Sequence, residues 1–198
     1  LYYTPGACSL AVHITLQETG LSFEKESVDL ATKKTASGAD FGAINTKGYV
    51  PALVLDSGEV LTEGPAINQY LADLVPEKKL APANGTLDRV RLQSWLTFIG
   101  TELHKTFSPL FRDSTDDVKK AALDMIARRL TYVDAYLNGK TYLVGEQFSI
   151  ADAYLFTVIG WMGFLKMPTS QYPHIERLVA AVGSRPAVQK TLKDEGLA

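Results

Sequence analysis

Only one cysteine, Cys8, occurs in the 198 residues. That excludes an internal disulfide framework and a cysteine-based zinc site, and no metal is expected. A lone thiol fits a reducing compartment, so a cytoplasmic location is the expectation. Neither sign of charge is in surplus, with 20 Lys and Arg against 22 Asp and Glu. The balance gives no electrostatic reason to expect nucleic acid or an acidic membrane as a partner. Long apolar runs are missing too. The longest, from Ala153 to Leu165, contains Thr157 and falls short of the roughly 20 residues that span a membrane, so it reads as a buried helix. Nothing at Leu1 resembles a signal peptide, although Leu1 is not an initiator residue and leaves room for a short leader. There is no internal repeat and no low-complexity tract.

What is present is an ordinary globular composition, 46% hydrophobic, long enough for one large domain or two small ones. Gly and Pro punctuate the first 76 residues. A strand at Leu1–Tyr3 is closed by Thr4-Pro5-Gly6, and a helix is expected from about Cys8 to Thr19, stopped by Gly20. Phe23–Leu30 is a strand candidate. Ala52–Leu55 and Val60–Leu61 flank Asp56-Ser57-Gly58 as a hairpin. Pro65 opens a helix whose stripe is Ile67, Tyr70, Leu71 and Leu74, ended by Pro76. This order predicts an α/β thioredoxin-like domain over residues 1–76. Residues 77–87 read as a linker rich in Pro, Lys, Ala, Asn and Gly. Residues 88–198 read as an all-α helical bundle. Its stripes are Leu92, Trp95, Leu96, Ile99, Leu103; then Val118, Ala122, Ile126, Leu130, Val133, Leu137; then Ile175, Leu178, Val179, Val182. Ser149-Ile150-Ala151-Asp152 is a capping-box pattern opening the buried helix.

Cys8 is the first candidate for chemistry. The helix reading places it in the first helical turn, where unpaired N–H groups and the helix dipole stabilise a thiolate; a small buried apolar residue is the bland alternative. A thioredoxin-type redox pair needs a second cysteine three residues on, where Ala11 stands. If Cys8 does thiol chemistry, the second thiol must come from outside, and glutathione is the abundant candidate in a reducing cell. The second signal is Gly48-Tyr49-Val50-Pro51-Ala52-Leu53, since a proline entering a strand cannot donate to the ladder. Either the Val50–Pro51 bond is cis, turning the Val50 backbone outward to pair with an extended peptide, or Pro51 is a plain edge-strand proline. In Thr62-Glu63-Gly64-Pro65, Gly64 is expected to cap the helix and leave N–H groups suited to a carboxylate, with Glu63 suited to an ammonium. A well-capped helix explains the same residues. His104, in Glu102-Leu103-His104-Lys105, borders an apolar stripe and is either a hydrogen-bonded structural residue or a functional one. At about 100° per residue, Glu102 and His104 point some 200° apart and do not share one site easily. Phe107, Phe111, Trp161 and Met162 are candidates for an apolar pocket, with plain core packing as the alternative.

These motifs stand together in one order and spacing. Leu1 to Leu10 including Cys8, Gly48 to Leu53, Leu61-Thr62-Glu63-Gly64 and Phe148-Ser149-Ile150-Ala151-Asp152 make the chain resemble a cytosolic glutathione transferase of the bacterial beta class, along essentially its whole length. The resemblance implies a thioredoxin-like glutathione-binding domain, a helical domain with an apolar second-substrate site, and a homodimer. It implies Cys8 beside the glutathione sulfur, Val50 with a cis Pro51 on the cysteinyl part, and Glu63 and Gly64 on the γ-glutamyl end. Many relatives carry Ser where Gly64 stands, so a hydroxyl contact is lost. Lys33 matches a lysine reaching the glycine carboxylate. His104 matches a histidine near the thiol, Glu102 a residue reaching the other subunit's glutathione, and Lys105 lies in the same binding segment. Tyr3 matches a catalytic tyrosine of other classes and is read as structural. The function implied is conjugation of glutathione thiolate to small apolar electrophiles in detoxification. The alternatives are a glutathione-dependent thiol–disulfide oxidoreductase or reductive dehalogenase using Cys8, or a non-catalytic binder of apolar ligands.

Overall fold

The computed structural model describes all 198 residues, and the chain divides into two compact units, Leu1–Ala81 with Gly183–Ala198, and Pro82–Val182. In the first unit, β1 (Tyr2–Tyr3), β2 (Glu26–Asp29), β3 (Lys34–Thr35), β4 (Ala52–Val54) and β5 (Val60–Thr62) form one sheet in the order β3-β2-β1-β4-β5. β1 runs parallel to β2, and every other neighbouring pair is antiparallel. Side chains alternate across the sheet as the pleat requires. Tyr3 and Leu53 face one side with α1 (Leu10–Thr19) and α3 (Gly64–Leu74), whose Val12, Leu16, Ile67 and Leu71 complete that core. Tyr2 and Ala52 face the other side with Val50 and with Phe41 of α2 (Phe41–Ile44). The expected α/β unit is present, with β3 and α2 added. Tyr70 and Leu74, expected on the buried stripe of α3, are exposed.

The second unit is helical: α4 (Leu87–Phe98), α5 (Lys105–Phe107), α6 (Asp116–Tyr136), α7 (Ile150–Phe164) and α8 (Pro173–Gly183, whose last residue falls to the first unit). A π-helical turn, Ile99–His104, joins α4 to α5. Leu92, Trp95, Leu96, Ile99, Leu103, Ala122, Ile126, Leu130, Val133 and Leu137 are buried as the periodicity demands, while Val118 is exposed. The capping box forms in full: Ser149 N–H and Oγ–H both donate to Asp152 Oδ2 at 2.8 Å, and Leu143 N–H donates to Oδ1 at 2.8 Å. Burial outweighs these bonds and raises the Asp152 carboxyl from 3.8 to about 6.

One boundary differs from the sequence reading. Helix α9 (Pro186–Asp194), expected within the bundle, belongs to the first unit. The cause lies in α1, which is buried on nearly every side from Leu10 to Leu16 and needs more cover than the sheet and α3 supply. α9 supplies it and adds polar ties. Arg185 meets Glu18 through two bonds of 2.6 and 2.8 Å, and Glu195 meets His13 at 2.8 Å.

Candidate active site

In the first unit the site begins at the turn after β1. Gly6 turns the chain with φ +70°, a conformation that glycine adopts without a Cβ clash. Ser9 Oγ accepts from Thr4 N–H and donates to Thr4 C=O, both at 3.2 Å, and Thr4 Oγ1 donates to Val28 C=O at 2.7 Å. Cys8 therefore sits in a laced turn just ahead of α1, not in the helix's first turn as the sequence suggested. Its half-buried thiol donates to Val50 C=O at 3.2 Å.

The Val50–Pro51 bond is cis, so the plain edge-strand reading of Pro51 falls. The loop before it is built by a residue that no motif flagged, Asn45. This buried side chain donates to Tyr49 C=O at 2.7 Å and accepts from Lys47 N–H at 3.1 Å. Lys33, with φ +58°, donates from Nζ to Gly48 C=O at 2.7 Å on the same loop. Cys8, Val50 and Pro51 thus come together. Gly64 joins them, since a Cβ there would lie 3.6 Å from Pro51 Cγ and 3.8 Å from Val12 Cγ2, ordinary packing distances.

Glu63, not Gly64, is the residue that precedes α3. It has φ +68°, and its C=O accepts from Ala66 and Ile67 N–H, while Gly64 and Pro65 are already helical. A non-glycine residue in the left-handed region costs of order 1 kcal/mol and commonly marks a functional site. Glu63 Oε1 gathers Lys47 Nζ at 2.8 Å and Tyr49 Oη at 2.7 Å. That carboxylate raises both the Lys47 ammonium and the Tyr49 phenol above their ordinary values. Lys47 and Tyr49 went unnoticed in the sequence because lysine and tyrosine beside glycine look like any exposed loop.

The second unit holds the remaining candidates. His104 Nδ1 meets Tyr154 Oη at 2.7 Å, and its ring packs 4.8 Å from that of Trp161. Tyr154 and Trp161 lie seven residues apart on α7, two turns along one face, and that spacing was the signal available for Tyr154. Phe111 contacts both Trp161 and the highly exposed Phe164, which the sequence reading did not select. Phe107 and Met162, expected as pocket residues, are core residues at 0% and 1% exposure. Glu102 pairs with Arg129 of its own chain, and Lys105 is exposed.

The match to known proteins is continuous. Residues 6–74 fit the glutathione S-transferase N-terminal domain and residues 98–186 the glutathione S-transferase C-terminal domain. The glutathione S-transferase GstA of Escherichia coli O157:H7 is 46% identical over 198 residues, covering 100% of this chain and 98% of that one. The solved ternary complex of BphK, a bacterial glutathione transferase, is 54% identical with a TM-score of 0.98, covering 100% and 99% of the two chains. Two sphingomonad structures, one a beta-class enzyme from Sphingomonas chungbukensis and one complexed with glutathione, are each 48% identical with TM-scores of 0.97 and 0.96, covering 100% and 99%. The chain belongs to the glutathione S-transferase family. Within it, the chain is a transferase of the bacterial beta class.

Proposed function

We propose that the protein conjugates glutathione to small apolar electrophiles, a detoxifying reaction, with the first unit binding the tripeptide. The observation that carries this reading is the convergence of Cys8, Val50, cis Pro51 and Gly64 in one unit, with Glu63 in a strained conformation at the start of α3. Val50 offers backbone to the cysteinyl part, the Gly64 N–H and Glu63 take the γ-glutamyl end, and Lys33 takes the glycine carboxylate by leaving Gly48. An incoming ammonium exchanges with Lys47 for Glu63. His104, Glu102 and Lys105 are assigned glutathione contacts on the strength of the family match. Phe111 and Trp161, with Phe164 beside them, are assigned to the second substrate. Holding two reactants together supplies much of the rate gain, and stabilising the glutathione thiolate supplies more.

The partner surface is a second copy of the chain. An open groove of about 440 Å³ on the helical unit is lined by Val90, Trp95, Phe98 and Tyr132 among others, with Val90 and Tyr132 more than half exposed. Aromatic side chains gathered on one face, with Arg91 and Ser94 in the same groove, mark an interaction surface. No helix is long and apolar enough to cross a membrane, and a lone thiol fits a cytoplasmic setting. Purified protein assayed with glutathione and a haloaromatic tests the reaction: a glutathione–arene conjugate is expected, and its absence with a panel of electrophiles overturns the assignment.

A further inference from the structure

A buried carboxylate in the first unit has no part in the reaction as described. Glu195 follows α9 and has a fully buried side chain, although its neighbours Asp194 and Gly196 are exposed. Burying a carboxylate is unfavourable unless both oxygens are paired. Here each has its own task. Oε1 meets Nδ1 of the fully buried His13 at 2.8 Å, and Oε2 accepts from Gly6 N–H at 2.9 Å. His13 stands on α1 with its ring packed against Tyr3 and Phe23, so it is a fixed post. Gly6 belongs to the turn that carries Cys8 two residues on. Leu197 lies over the same glycine, its methyl carbons 3.6 and 3.9 Å from where a Cβ would stand.

We propose that Glu195 and Leu197 form a clamp that fixes the Cys8 turn against α1, with Glu195 a positioning residue for the thiol. An alternative, that α9 merely stabilises α1, is met by a different contact. Arg185 binds Glu18 at the other end of α9, at the C-terminal end of α1. If anchoring of α9 were the whole role, either contact would serve equally. Of the contacts made by α9 and the residues after it, those of Glu195 and Leu197 are the ones on Gly6 of the Cys8 turn. The inference deepens the glutathione-site reading, but its test needs no glutathione, so the two fail separately.

Cys8 is the only cysteine, so alkylation by iodoacetamide reports on it alone. Releasing the clamp lets the turn open and uncovers the thiol, so Glu195→Ala is expected to raise the alkylation rate at least about threefold. Leu197→Ala is expected to give a smaller rise. Glu195→Gln keeps an oxygen for Gly6 N–H and is expected to stay near the wild-type rate. Arg185→Ala is expected to lower the melting temperature without changing the alkylation rate. Should Glu195→Ala not fold, Leu197→Ala decides the matter: a raised alkylation rate supports the clamp and an unchanged one overturns it. Unchanged alkylation in Leu197→Ala and Glu195→Ala, or acceleration in Arg185→Ala equal to that in Glu195→Ala, overturns the clamp.

Discussion

Glu63 turns the chain with φ +68° and gathers Lys47 and Tyr49 on one carboxylate oxygen, all on exposed surface. Replacing it by Gln keeps the shape and removes the charge. Since charge-assisted hydrogen bonds contribute about 1.5–3 kcal/mol, Glu63→Gln is expected to weaken glutathione binding tenfold or more, read by fluorescence titration. Its melting temperature should barely move, because the ion pair with Lys47 is exposed and worth little to stability. Unchanged affinity would remove Glu63 from the site. Cys8 separates conjugation from thiol exchange. In conjugation the nucleophile is the glutathione sulfur, so Cys8→Ala should leave a reduced but measurable rate. Exchange through Cys8 has no substitute atom, and the same change should lower it at least ~10³-fold, about 4 kcal/mol of transition-state stabilisation. Full exchange activity in Cys8→Ala would make this thiol a packing residue. The bond donated to Val50 was not legible in the sequence: local spacing puts Cys8 at the start of a helix, but its partner lies 42 residues away.

Helix α7 is the element most completely foreshadowed by sequence, because its start is set by residues three apart. Ser149 and Asp152 cap locally, and no distant partner is needed to place them. The Asp152 carboxyl, at about 6 when folded against 3.8 as the ordinary value, holds a proton that the unfolded chain has lost between those pH values. Its contribution to stability is therefore complete below about pH 4 and is lost as pH rises through about 6, a change of about 3 kcal/mol. In Asp152→Asn that dependence disappears. Urea unfolding of both proteins from pH 4 to 6.5 should show the wild type losing stability relative to the variant; parallel curves would contradict it. Other elements were not legible for physical reasons. β3 has two residues and α2 four, too short to show a period, and α2 is set by the Asp40 side chain bonding Gly42 N–H. The π-helical turn that carries Glu102 and His104 leaves the apolar stripe of α4 intact, with Ile99 and Leu103 both buried, so the pattern reads as one continuous helix.

At the scale of the whole molecule, the sequence read correctly as an α/β unit and a helical one, and the error was the allegiance of α9. Its stripe shows that it buries a face but not which unit receives it, and the receiving helix is α1, far away in sequence. The candidate site was partly legible for the same reason. Val50-Pro51 and Glu63-Gly64 are local patterns, whereas Asn45, Lys47 and Tyr49 gain meaning only once the loop closes on Glu63 and Tyr49 C=O. Light scattering at micromolar concentration is expected to give twice the chain mass, and Val90→Glu with Tyr132→Glu, which charges the exposed apolar groove, to give the single-chain mass; a monomeric wild type would contradict the dimer. The central claim is that the first unit binds glutathione, and isothermal titration calorimetry of the intact protein tests it most directly. The account predicts saturable heat with one glutathione per chain and weaker binding in Glu63→Gln. No binding heat at millimolar glutathione, across a range of temperatures, would contradict it.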